Sequence, residues 1–581
     1  MTHFLRYFRL VAFCALLSCS APPVRTVPRG PATFTGIAAY DDGSPATGST
    51  IAVTEIESSK LVDVLTVDAA GAYKATLPPG MYALAVAGAR GFAWIEKQVV
   101  PSTGFHLTLS RSCHPLTGKV DGHATSTRVH LERQSYSQGD TFVAPVREDG
   151  SFAFCLSEGQ YRLFLTGDAL SVSTKLELPT TTRLRVRGTP SSEIKLPPAK
   201  LAQVPGGLDV LVADIVASDP RIVGLGEATH GTAEFFTARG ALSMELIRQA
   251  NVRLLLFEFD AIAGAALDDY VNGADIDPAK AVADLSFWTT DTHEFLQFLA
   301  ELRQHNAMTS DKVHIWGVDV QNTTHPVDVL VASADELSIG AEDIDILRLL
   351  IKRGKGVREL SAPQRASIDT LLSRLGTPRG TRKHDLLVAV AAQSLATQLE
   401  YWTGDMETWI RKRRDIGMAR LTDFIITQTG TRRACLWAHD GHVTKQPSEL
   451  MLGHYLTGFG YRYYAVGFYL YQGSTRAVDT AGKIGVISYP VPVAPKYTVE
   501  NVVLEGTGRP EIAWLPLRTL PPAWKKWLET PRLSRELGAV YTSEDDMMML
   551  RDIRAAFDAV VVIRTGHDSS PTPTGVRVFK H

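Results

Sequence analysis

Six short, nearly continuous apolar runs in the last two thirds of the chain place the strongest constraint on its fold. They lie at residues 221–225, 252–259, 313–318, 435–439, 463–468 and 559–563. Because a strand loses its alternation of polar and apolar residues when both faces are covered, such runs predict a mainly parallel sheet. Helical periodicity fills the segments between them, as at 234–249. These patterns predict a three-layer α/β domain at 205–570, with a helical insertion at about 340–425, where strand signals are absent.

The first part of the chain instead shows short strand-like segments separated by turn sequences. In residues 33–110 the turns include DDGSP at 41–45, and the regular spacing predicts a small all-β sandwich. Residues 111–190 repeat the plan, since DGSF at 149–152 echoes the earlier turns. We therefore expect a duplicated pair of β-sandwiches that serve as spacers or binding modules. A linker rich in proline and serine follows at 191–204.

The length and the net charge of the chain limit the number of domains and the classes of binding partner. A chain of 581 residues is too long for one hydrophobic core, so about three or four domains are expected. The formal net charge is -2, so nothing favours binding to nucleic acid or to an anionic membrane surface. The function must therefore be sought in particular residues.

Residues 1–19 have the pattern of an export signal. Two arginines precede an apolar run at 10–17, which is too short to span a bilayer. The sequence LLSC at 16–19 resembles a bacterial lipoprotein signal, which implies that Cys19 is lipidated and becomes the mature N-terminus. The serine after it resembles an outer-membrane address, and residues 20–32 are expected to form a flexible tether. A plain secreted protein, cleaved slightly later, is the alternative.

The remaining cysteines fit an exported protein. Cys113 and Cys155 lie in the same β-rich unit and are expected to form a disulfide bond in an oxidising compartment. Cys435 lies in an apolar run and is expected to be a buried thiol.

The segment after the first apolar run concentrates residues that are suited to proton transfer. Glu227, His230 and Glu234 follow at spacings of three and four, and Arg239 comes five residues later. If a helix begins after Thr229, its first turns bring these side chains to the end of the same strand. A carboxylate beside an imidazole fixes the tautomer of the ring and raises its basicity, so the pattern indicates acid–base chemistry. A capped helix with solvated charges is the structural alternative.

Polar residues also follow three other predicted strands. They are Glu258, Asp319, Gln321, His439 and His442. Because ligands of a parallel sheet bind outside the carboxyl ends of its strands, we expect Glu258 and the two histidines to share one cleft with Glu227 and His230.

Eight motifs occur in the same colinear order after residue 205. They are GLGEATHGTAEFF at 224–236, FEF at 257–259, Trp288 with THEFLQFL at 292–299, WGVDVQ at 316–321, RDIGMA at 414–419, WAHDGHV at 437–443, GHYL at 453–456 and FDAVVVI at 557–563. Together they resemble the erythromycin esterase family over about residues 205–570. The resemblance does not include the two β-units, which look like carboxypeptidase-regulatory-like, transthyretin-like β-domains.

The resemblance implies hydrolysis of a carboxylic ester or a macrolactone, as in antibiotic resistance, by an activated water without a covalent serine intermediate. His230 is then the general base, while Glu227 and Glu258 hold the imidazole and the water. Positive charge at the carbonyl oxygen is expected from Arg239, His439 or His442. One of the two histidines is also expected to protonate the leaving alkoxide.

A further set of residues is expected to bind the substrate: Glu234, Trp288, Asp319, Gln321, Arg414 and Asp415. Arg414 and Asp415 match a family motif and are expected to hold a carboxylate in place or to close the site. Asp440 stands where the family often has asparagine, which keeps the polarity and alters the local charge. No cofactor and no metal is implied.

Other classes of function stay open beside the esterase. A serine hydrolase is disfavoured, because no Gly-x-Ser-x-Gly sequence occurs. A metal-dependent hydrolase is one alternative, since the carboxylates and histidines of the predicted cleft are competent zinc ligands. Against it, their spacing is not His-Glu-x-x-His, and Arg239 would repel a cation. A non-catalytic surface lipoprotein that binds a small ligand or carbohydrate is the other alternative. The preferred prediction is an exported hydrolase of small esters or lactones, attached to the outer membrane by a lipid.

Overall fold

The computed structural model describes residues 32–572 apart from a set of internal positions. Those positions are 56–59, 122–126, 134–140, 167–168, 171–173, 188, 191–207, 286, 353, 403–405, 448, 480–485, 496–497, 530 and 542–547. The export signal with Cys19, nearly all of the tether and the linker at 191–204 lie outside the described residues. Within the described part of the chain, no helix combines the length and the apolar content that crossing a membrane requires.

The first β-rich unit of the described chain contains seven strands. They are β1 Ala32–Tyr40, β2 Thr50–Glu55, β3 Lys60–Thr66, β4 Ala72–Leu77, β5 Gly80–Ala87, β6 Phe92–Val100 and β7 Ser102–Leu109. They pair into one sheet of order β4-β1-β7 and another of order β3-β2-β5-β6. Buried and exposed residues alternate along β4, and both sheets contribute to one core, with Phe34 from the first and Ile51 and Tyr82 from the second.

The second β-rich unit repeats this pairing. Its strands are β8 His114–Asp121, β9 Arg128–Arg133, β10 Thr141–Pro145, β11 Ser151–Leu156, β12 Gly159–Thr166, β13 Ala169–Leu170, β14 Thr174–Leu178, β15 Arg183–Arg187 and β16 Thr189–Pro190. The orders β11-β8-β15 and β10-β9-β12-β14 match those of the first unit. In both units the first strand pairs antiparallel with one neighbour and parallel with the other. The β-rich character of the N-terminal region agrees with the sequence prediction, and the sequence repeat has a counterpart in strand pairing.

The two β-rich units contact each other directly. Ala52 of the first unit belongs to the same buried apolar cluster as Phe142 of the second. Cys113 and Cys155 form the predicted disulfide bond, with an S–S length of 2.07 Å. The amide of Cys155 also donates to the carbonyl of Gly88 in the first unit, at 3.1 Å. Apolar and hydrogen-bonded contacts therefore join the two units, whereas the disulfide bond lies within the second unit.

Helices and strands alternate in the rest of the described chain. The helices are α1 Leu208–Ser218, α2 Ala233–Gln249, α3 Gly264–Val271, α4 Pro278–Asp284, α5 His293–Ala307, α6 Thr324–Ala332, α7 Ala334–Leu337, α8 Ala341–Leu350, α9 Gly354–Glu359, α10 Ala362–Leu375, α11 Lys383–Trp402, α12 Met406–Thr429, α13 Asp440–Val443, α14 Leu452–Gly458, α15 Val499–Gly506, α16 Pro522–Trp527 and α17 Ile553–Ala556. The strands are β17 Ile222–Leu225, β18 Leu254–Asp260, β19 His314–Asp319, β20 Ala434–Trp437, β21 Tyr463–Asp479, β22 Val486–Val491, β23 Ile512–Pro516, β24 Arg532–Arg535, β25 Val540–Tyr541, β26 Met548–Arg551 and β27 Ala559–Gly566.

One large sheet has the order β19-β18-β20-β17-β21-β27-β23. Its first six strands pair in parallel and coincide with the six apolar runs, and every residue of β17 and β20 is buried. The sheet is mixed, because β23 and β22 join it antiparallel. Since β20 lies between β18 and β17, the carboxyl ends of these three strands are neighbours.

Helices occupy the segment between β19 and β20. Within the described residues of that segment, α6 to α12 are present and no strand occurs, in agreement with the absence of strand signals at 340–425. Helix α12 packs closely against α11, because a Cβ added at Gly417 would lie 2.4 Å from Cγ2 of Thr397 and 3.4 Å from Cγ2 of Val320. This close approach brings the first half of α12 to the end of β19.

Candidate active site

The loop after β17 holds His230 through a carboxylate rather than through helical spacing. Helix α2 begins at Ala233, one residue before the predicted helical segment 234–249, so His230 lies in the loop that precedes it. Oε1 of Glu227 lies 2.8 Å from Nδ1 of His230, and Oε2 of Glu227 accepts a hydrogen bond from Nη2 of Arg239 in the second turn of α2. The side chains of Glu227 and His230 are only 7% and 13% exposed. The carboxylate is therefore fixed between a guanidinium and an imidazole, with little competition from water.

The hydrogen bond to Glu227 decides which nitrogen of His230 is free. In the neutral ring, the Nδ1–H donates to the carboxylate, and Nε2 is left as the acceptor. The rings of His439 and Trp288 lie beside His230, with centroids 5.0 Å and 6.5 Å away. Arg239, one of the three side chains considered for the carbonyl oxygen, is 2% exposed, and its guanidinium contacts Glu227.

Glu258 in β18 receives donors from three directions. Its Oε1 accepts from Nη2 of Arg414 at 2.7 Å and lies 3.1 Å from Nε2 of His442, and its Oε2 accepts from the backbone N–H of His439 at 2.8 Å. Burial by itself would raise the pKa of Glu258, but the charges of His442 and Arg414 outweigh it and hold this pKa well below its usual range. Glu258 is therefore an ionised anchor for the loop that carries both histidines.

Arg414 links the helical segment to two strand ends. Its Nε and Nη2 donate to the two oxygens of Asp319 at 3.1 Å and 2.8 Å, in the bidentate geometry that guanidinium and carboxylate favour. The side-chain amide of Gln321 donates to the same carboxylate at 2.9 Å. Asp319, which is 1% exposed, therefore holds Arg414 in position, and the exposed Gln321 bonds to Asp319.

His442 lies between two carboxylates. Its Nδ1 is 2.7 Å from Oδ1 of Asp415, which also accepts from the backbone N–H of Leu452 at 2.9 Å. Burial lowers the pKa of His442, but Asp415 and Glu258 outweigh burial and raise this pKa to about 10. These carboxylates favour the protonated ring, whereas Nη1 of Arg414, 2.9 Å from Nε2 of His442, opposes it.

His439 differs from His442 in the direction of its pKa shift and in hydrogen bonding. Its Nδ1 accepts the backbone N–H of Gly441 at 3.1 Å, so the proton of the neutral ring is on Nε2. Burial, together with the nearby charge of His230, lowers the pKa of His439 well below its usual value. Nε2 is itself buried and has no hydrogen-bond partner among the described residues. Beside His230, His439 thus has a neutral N–H donor with no acceptor in the described residues; it was one of three side chains considered as a source of positive charge.

Asp440 is buried behind the same loop. Its carboxylate accepts from the backbone N–H of Phe468 at 3.1 Å, and a Cβ added at Gly226 would lie 1.7 Å from Oδ1 of Asp440. Burial raises the pKa of Asp440 well above its usual value, and Glu536 raises it further. The uncharged acid is therefore favoured, and it resembles the asparagine that the family often has here.

The last described residues hold the loop of His230 from outside. We call residues 567–572 the C-terminal strap. The amide of Ser569 donates to the carbonyl of Gly231 at 2.8 Å, and the carbonyl of His567 accepts from the amide of Ala233 at 2.9 Å. The amide of His293 donates to the strap carbonyl of Ser570 at 2.8 Å. The strap therefore connects the loop of His230 to the start of α5.

Glu234 belongs to this outer layer and not to the cluster around His230. Its Oε1 lies 2.6 Å from Nδ1 of His567, and its Oε2 accepts the backbone N–H of His567 at 2.7 Å. The reason is the late start of α2, which places Glu234 in the first turn of that helix, facing the strap. Glu234 was expected to bind the substrate beside Glu227 and His230. In the structure its side chain contacts His567 of the strap instead.

Sequence reasoning missed Arg476, which forms part of the same wall. Arg476 lies in β21, eight residues beyond the apolar run that predicted this strand, and no motif marked it. Its backbone N–H donates to the carbonyl of Gly231 at 3.2 Å. Its guanidinium carbon is 5.9 Å from the ring centroid of Trp288. The ring of Trp288 is therefore near both His230 and Arg476.

The donor set of the site does not fit a metal ion. In the described part of the chain, no three His, Cys, Asp or Glu side chains are arranged to hold one. Each carboxylate that was considered as a ligand already faces a cation, Glu227 with Arg239 and Glu258 with Arg414. A metal ion would have to displace these guanidinium groups.

Taken together, the parallel sheet and the strand-end cluster define an α/β protein whose site is built around a carboxylate-held histidine. A model of the family described as erythromycin esterase matches residues 247–566, more than half of the chain. The chain therefore belongs to the erythromycin esterase family. The match begins after Glu227, His230 and Arg239.

The sequence identity to individual relatives is low. The chain is 25% identical over 209 residues to erythromycin esterase type I of Escherichia coli, and this match covers 36% of the chain and 42% of that relative. The crystal structure of a Bacillus cereus protein is similar with a TM-score of 0.54 and 20% identity, over 63% of this chain and 94% of that one. A succinoglycan biosynthesis protein is similar with a TM-score of 0.53 and 18% identity, over 64% and 94% of the two chains. The two structural likenesses concern the fold alone.

Proposed function

We propose that this protein is an exported carboxylic ester hydrolase in which His230 activates a water molecule. The observation that supports the proposal most directly is the pairing of two differently protonated rings. Glu227 accepts the Nδ1–H of His230 and leaves its Nε2 as a base, whereas His439, 5.0 Å away between ring centroids, offers an Nε2–H with no acceptor in the described residues. An acceptor and a donor side by side match what ester hydrolysis requires.

The proposed reaction has two steps. Nε2 of His230 takes a proton from water, and the oxygen of that water forms a bond to the ester carbonyl carbon. The carbonyl oxygen becomes an oxyanion, which accepts the Nε2–H of His439. When the tetrahedral intermediate collapses, the bond to the alkoxide breaks, and the alkoxide takes the proton from Nε2 of His230. No covalent intermediate with the enzyme is required.

The other residues position these two rings. Glu227 stabilises the imidazolium that forms at His230, and the buried guanidinium of Arg239 holds this carboxylate in place. Glu258 fixes the backbone of His439, while Arg414 and His442 keep Glu258 ionised. In this scheme His442 does not donate a proton to the alkoxide, because its Nδ1 already faces Asp415 and its Nε2 already lies against Glu258 and Arg414.

Export and lipid attachment are part of the proposal. Their support is the signal-like segment with LLSC at 16–19 and the Cys113–Cys155 disulfide, which is typical of oxidising compartments. Growth with a labelled fatty acid should label the wild-type protein in the envelope fraction, and Cys19→Ser should abolish the label. Label on the Cys19→Ser protein would contradict the assignment of Cys19.

The substrate proposed first is an ester or macrolactone, because the Escherichia coli relative is named an erythromycin esterase. We would test a panel of 14- and 16-membered macrolides, simple lactones and aryl esters, each with and without a chelator. Turnover that survives chelation is expected. Turnover that disappears with the chelator would instead favour the metal-dependent hydrolase, and no turnover of any ester would favour a binding protein.

Variants of two histidines connect the activity to the site. His230→Ala should remove turnover and leave the melting temperature nearly unchanged. His384→Ala is the matched control, because His384 lies on α11 and its side chain is 42% exposed. If His230→Ala keeps a tenth of the wild-type rate, His230 is not the base.

A further inference from the structure

Arg476 is an unusual buried arginine. Arg476 is 7% exposed, yet no carboxylate oxygen lies within 4 Å of its guanidinium in the described chain. The other buried arginines among the described residues are Arg239, Arg535 and Arg551, and each of them contacts a carboxylate. A guanidinium removed from water without an anion is costly, so its isolation calls for an explanation.

The hydrogen bonds of Arg476 leave most of its donors available. Nη1 donates to the carbonyl of Ser569 at 3.1 Å and to the hydroxyl of Ser569 at 3.4 Å. Nε and Nη2 have no acceptor among the described residues. Burial lowers the pKa of Arg476, as expected for a cation whose lost hydration has not been replaced.

The acidic residues around Arg476 are mostly engaged elsewhere. Both oxygens of Glu294 accept from the backbone N–H of Ser570 at 3.1 Å. Asp291 accepts from the hydroxyl of Thr572, and burial raises its pKa. The third is Asp568, whose Oδ1 is buried and has no partner in the described residues.

Arg476 is also close to the reacting groups. Its backbone N–H is bonded to Gly231, the residue after His230. Its guanidinium carbon is 5.9 Å from the ring centroid of Trp288, and that centroid is 6.5 Å from the ring of His230. His230 and the guanidinium of Arg476 therefore both lie close to the ring of Trp288.

We infer that Arg476 determines specificity by binding a carboxylate on the substrate, so that the preferred substrates are anionic esters such as half-esters of dicarboxylic acids. The inference rests on the proposed ester hydrolysis and names its substrate class. A carboxylate placed at Nε and Nη2 makes the bidentate pair for which the guanidinium geometry is suited. A cationic group at the same place would be repelled.

Two aryl esters of equal length test the inference. They are the 4-nitrophenyl half-ester of adipic acid, which is anionic, and 4-nitrophenyl hexanoate, which is neutral. For the wild-type full chain, kcat/KM should be about tenfold or more higher for the anionic ester at low salt, the factor that one well-formed charged pair contributes. This preference should fall as salt is added.

Arginine variants then assign the preference to one residue. Arg476→Gln should bring the ratio of the two kcat/KM values close to one, through KM for the anionic ester, while Arg476→Lys should retain part of the preference. Arg433→Gln is the control, because Arg433 pairs with Asp219 before β20, at the opposite end of that strand from His439. An unchanged ratio in Arg476→Gln would overturn the inference.

The remaining outcomes are also decisive. If Arg476 serves only to balance Asp568, Arg476→Gln should lower the rates of both esters equally, and the inference is wrong. If Arg476→Gln does not fold, competitive inhibition of the wild type by adipate, weakened by salt, supports the inference, and absence of inhibition opposes it. Hydrolysis of the neutral ester without any preference in the wild type refutes only the inference, whereas hydrolysis of neither ester refutes the proposed function.

Discussion

Replacing His439 by asparagine separates the functions of its two ring nitrogens. The amide oxygen of asparagine occupies nearly the position of Nδ1, so it can still accept the N–H of Gly441 and cap the short helix α13. The Nε2–H, which lacks an acceptor in the described residues, is lost. The backbone N–H that donates to Glu258 is untouched. The His439→Asn substitution thus removes one donor and leaves the rest of the loop in place.

The size of the effect follows from the role of that donor. Removing one hydrogen-bond donor to an oxyanion lowers kcat by about 10²–10³, or about 2.7–4 kcal/mol. A buried donor without a partner costs about 1–3 kcal/mol of stability in the resting protein. Its removal offsets the packing lost with the ring, so the free energy of unfolding should change by less than about 1–2 kcal/mol. His439→Asn should therefore be a slow but well-folded enzyme.

The assay compares kcat for an aryl ester in the wild type, His439→Asn and His439→Gln. The amide nitrogen of glutamine lies near the position of Nε2, so Gln should recover part of the rate that Asn loses. Denaturant unfolding of each variant measures stability. If His439→Asn retains kcat within threefold of the wild type, or if Gln is no better than Asn, the donor role is refuted.

The pH profile distinguishes a neutral donor from an acid. Burial lowers the pKa of His439 well below its usual value, so its Nε2–H is present throughout the neutral range, and His439 should contribute no limb to the pH dependence of kcat. If the wild type instead loses activity as the pH rises through neutrality, and His439→Asn lacks this loss, His439 acts as a proton donor and the tautomer argument fails.

Three further predictions follow from buried groups. Glu227→Gln leaves Arg239 buried without its anion, so denaturant unfolding should show a loss of about 3–5 kcal/mol, with kcat lower by about 10² or more because the tautomer of the histidine is no longer fixed. The raised pKa of Asp440 contributes stability that is fully present below about pH 4 and is lost as the pH rises through the raised value. The stability of Asp440→Asn relative to the wild type should therefore increase with pH. A difference in stability that stays constant with pH would contradict this prediction. Replacing Cys113 and Cys155 by alanine opens a loop of 42 residues and should cost about 4 kcal/mol of stability without changing ester hydrolysis by the purified protein.

Much of the fold could be predicted from the sequence, because a strand that is buried on both faces has a uniformly apolar sequence. The six parallel strands therefore appeared as runs, and the rule of strand ends drew attention to Glu258 and His439. The antiparallel strands β22 and β23 were missed. Residues 486–491 of β22 alternate in burial and include proline, so they lack such a run.

The errors at the site have local causes. Spacing of three and four residues predicts a shared face only within a helix, and here the helix starts at Ala233, which turns Glu234 away from His230. Arg414 carries no strand-end signal because it lies on α12, and only the family motif indicated it. Arg476 lies within β21, but beyond the apolar run that predicted this strand. The sequence alone gives no reason to expect a buried cation there.

The C-terminal strap has a practical consequence for handling the protein. The family match ends at residue 566, which is also where β27 ends, so a chain trimmed to the family boundary would look complete. Such trimming, or a protease cut at that point, would remove Ser569, the residue that bonds both Gly231 and Arg476. The shortened protein should keep its sheet and yet work poorly, and inactivity of a trimmed or nicked sample would then be mistaken for lack of the right substrate.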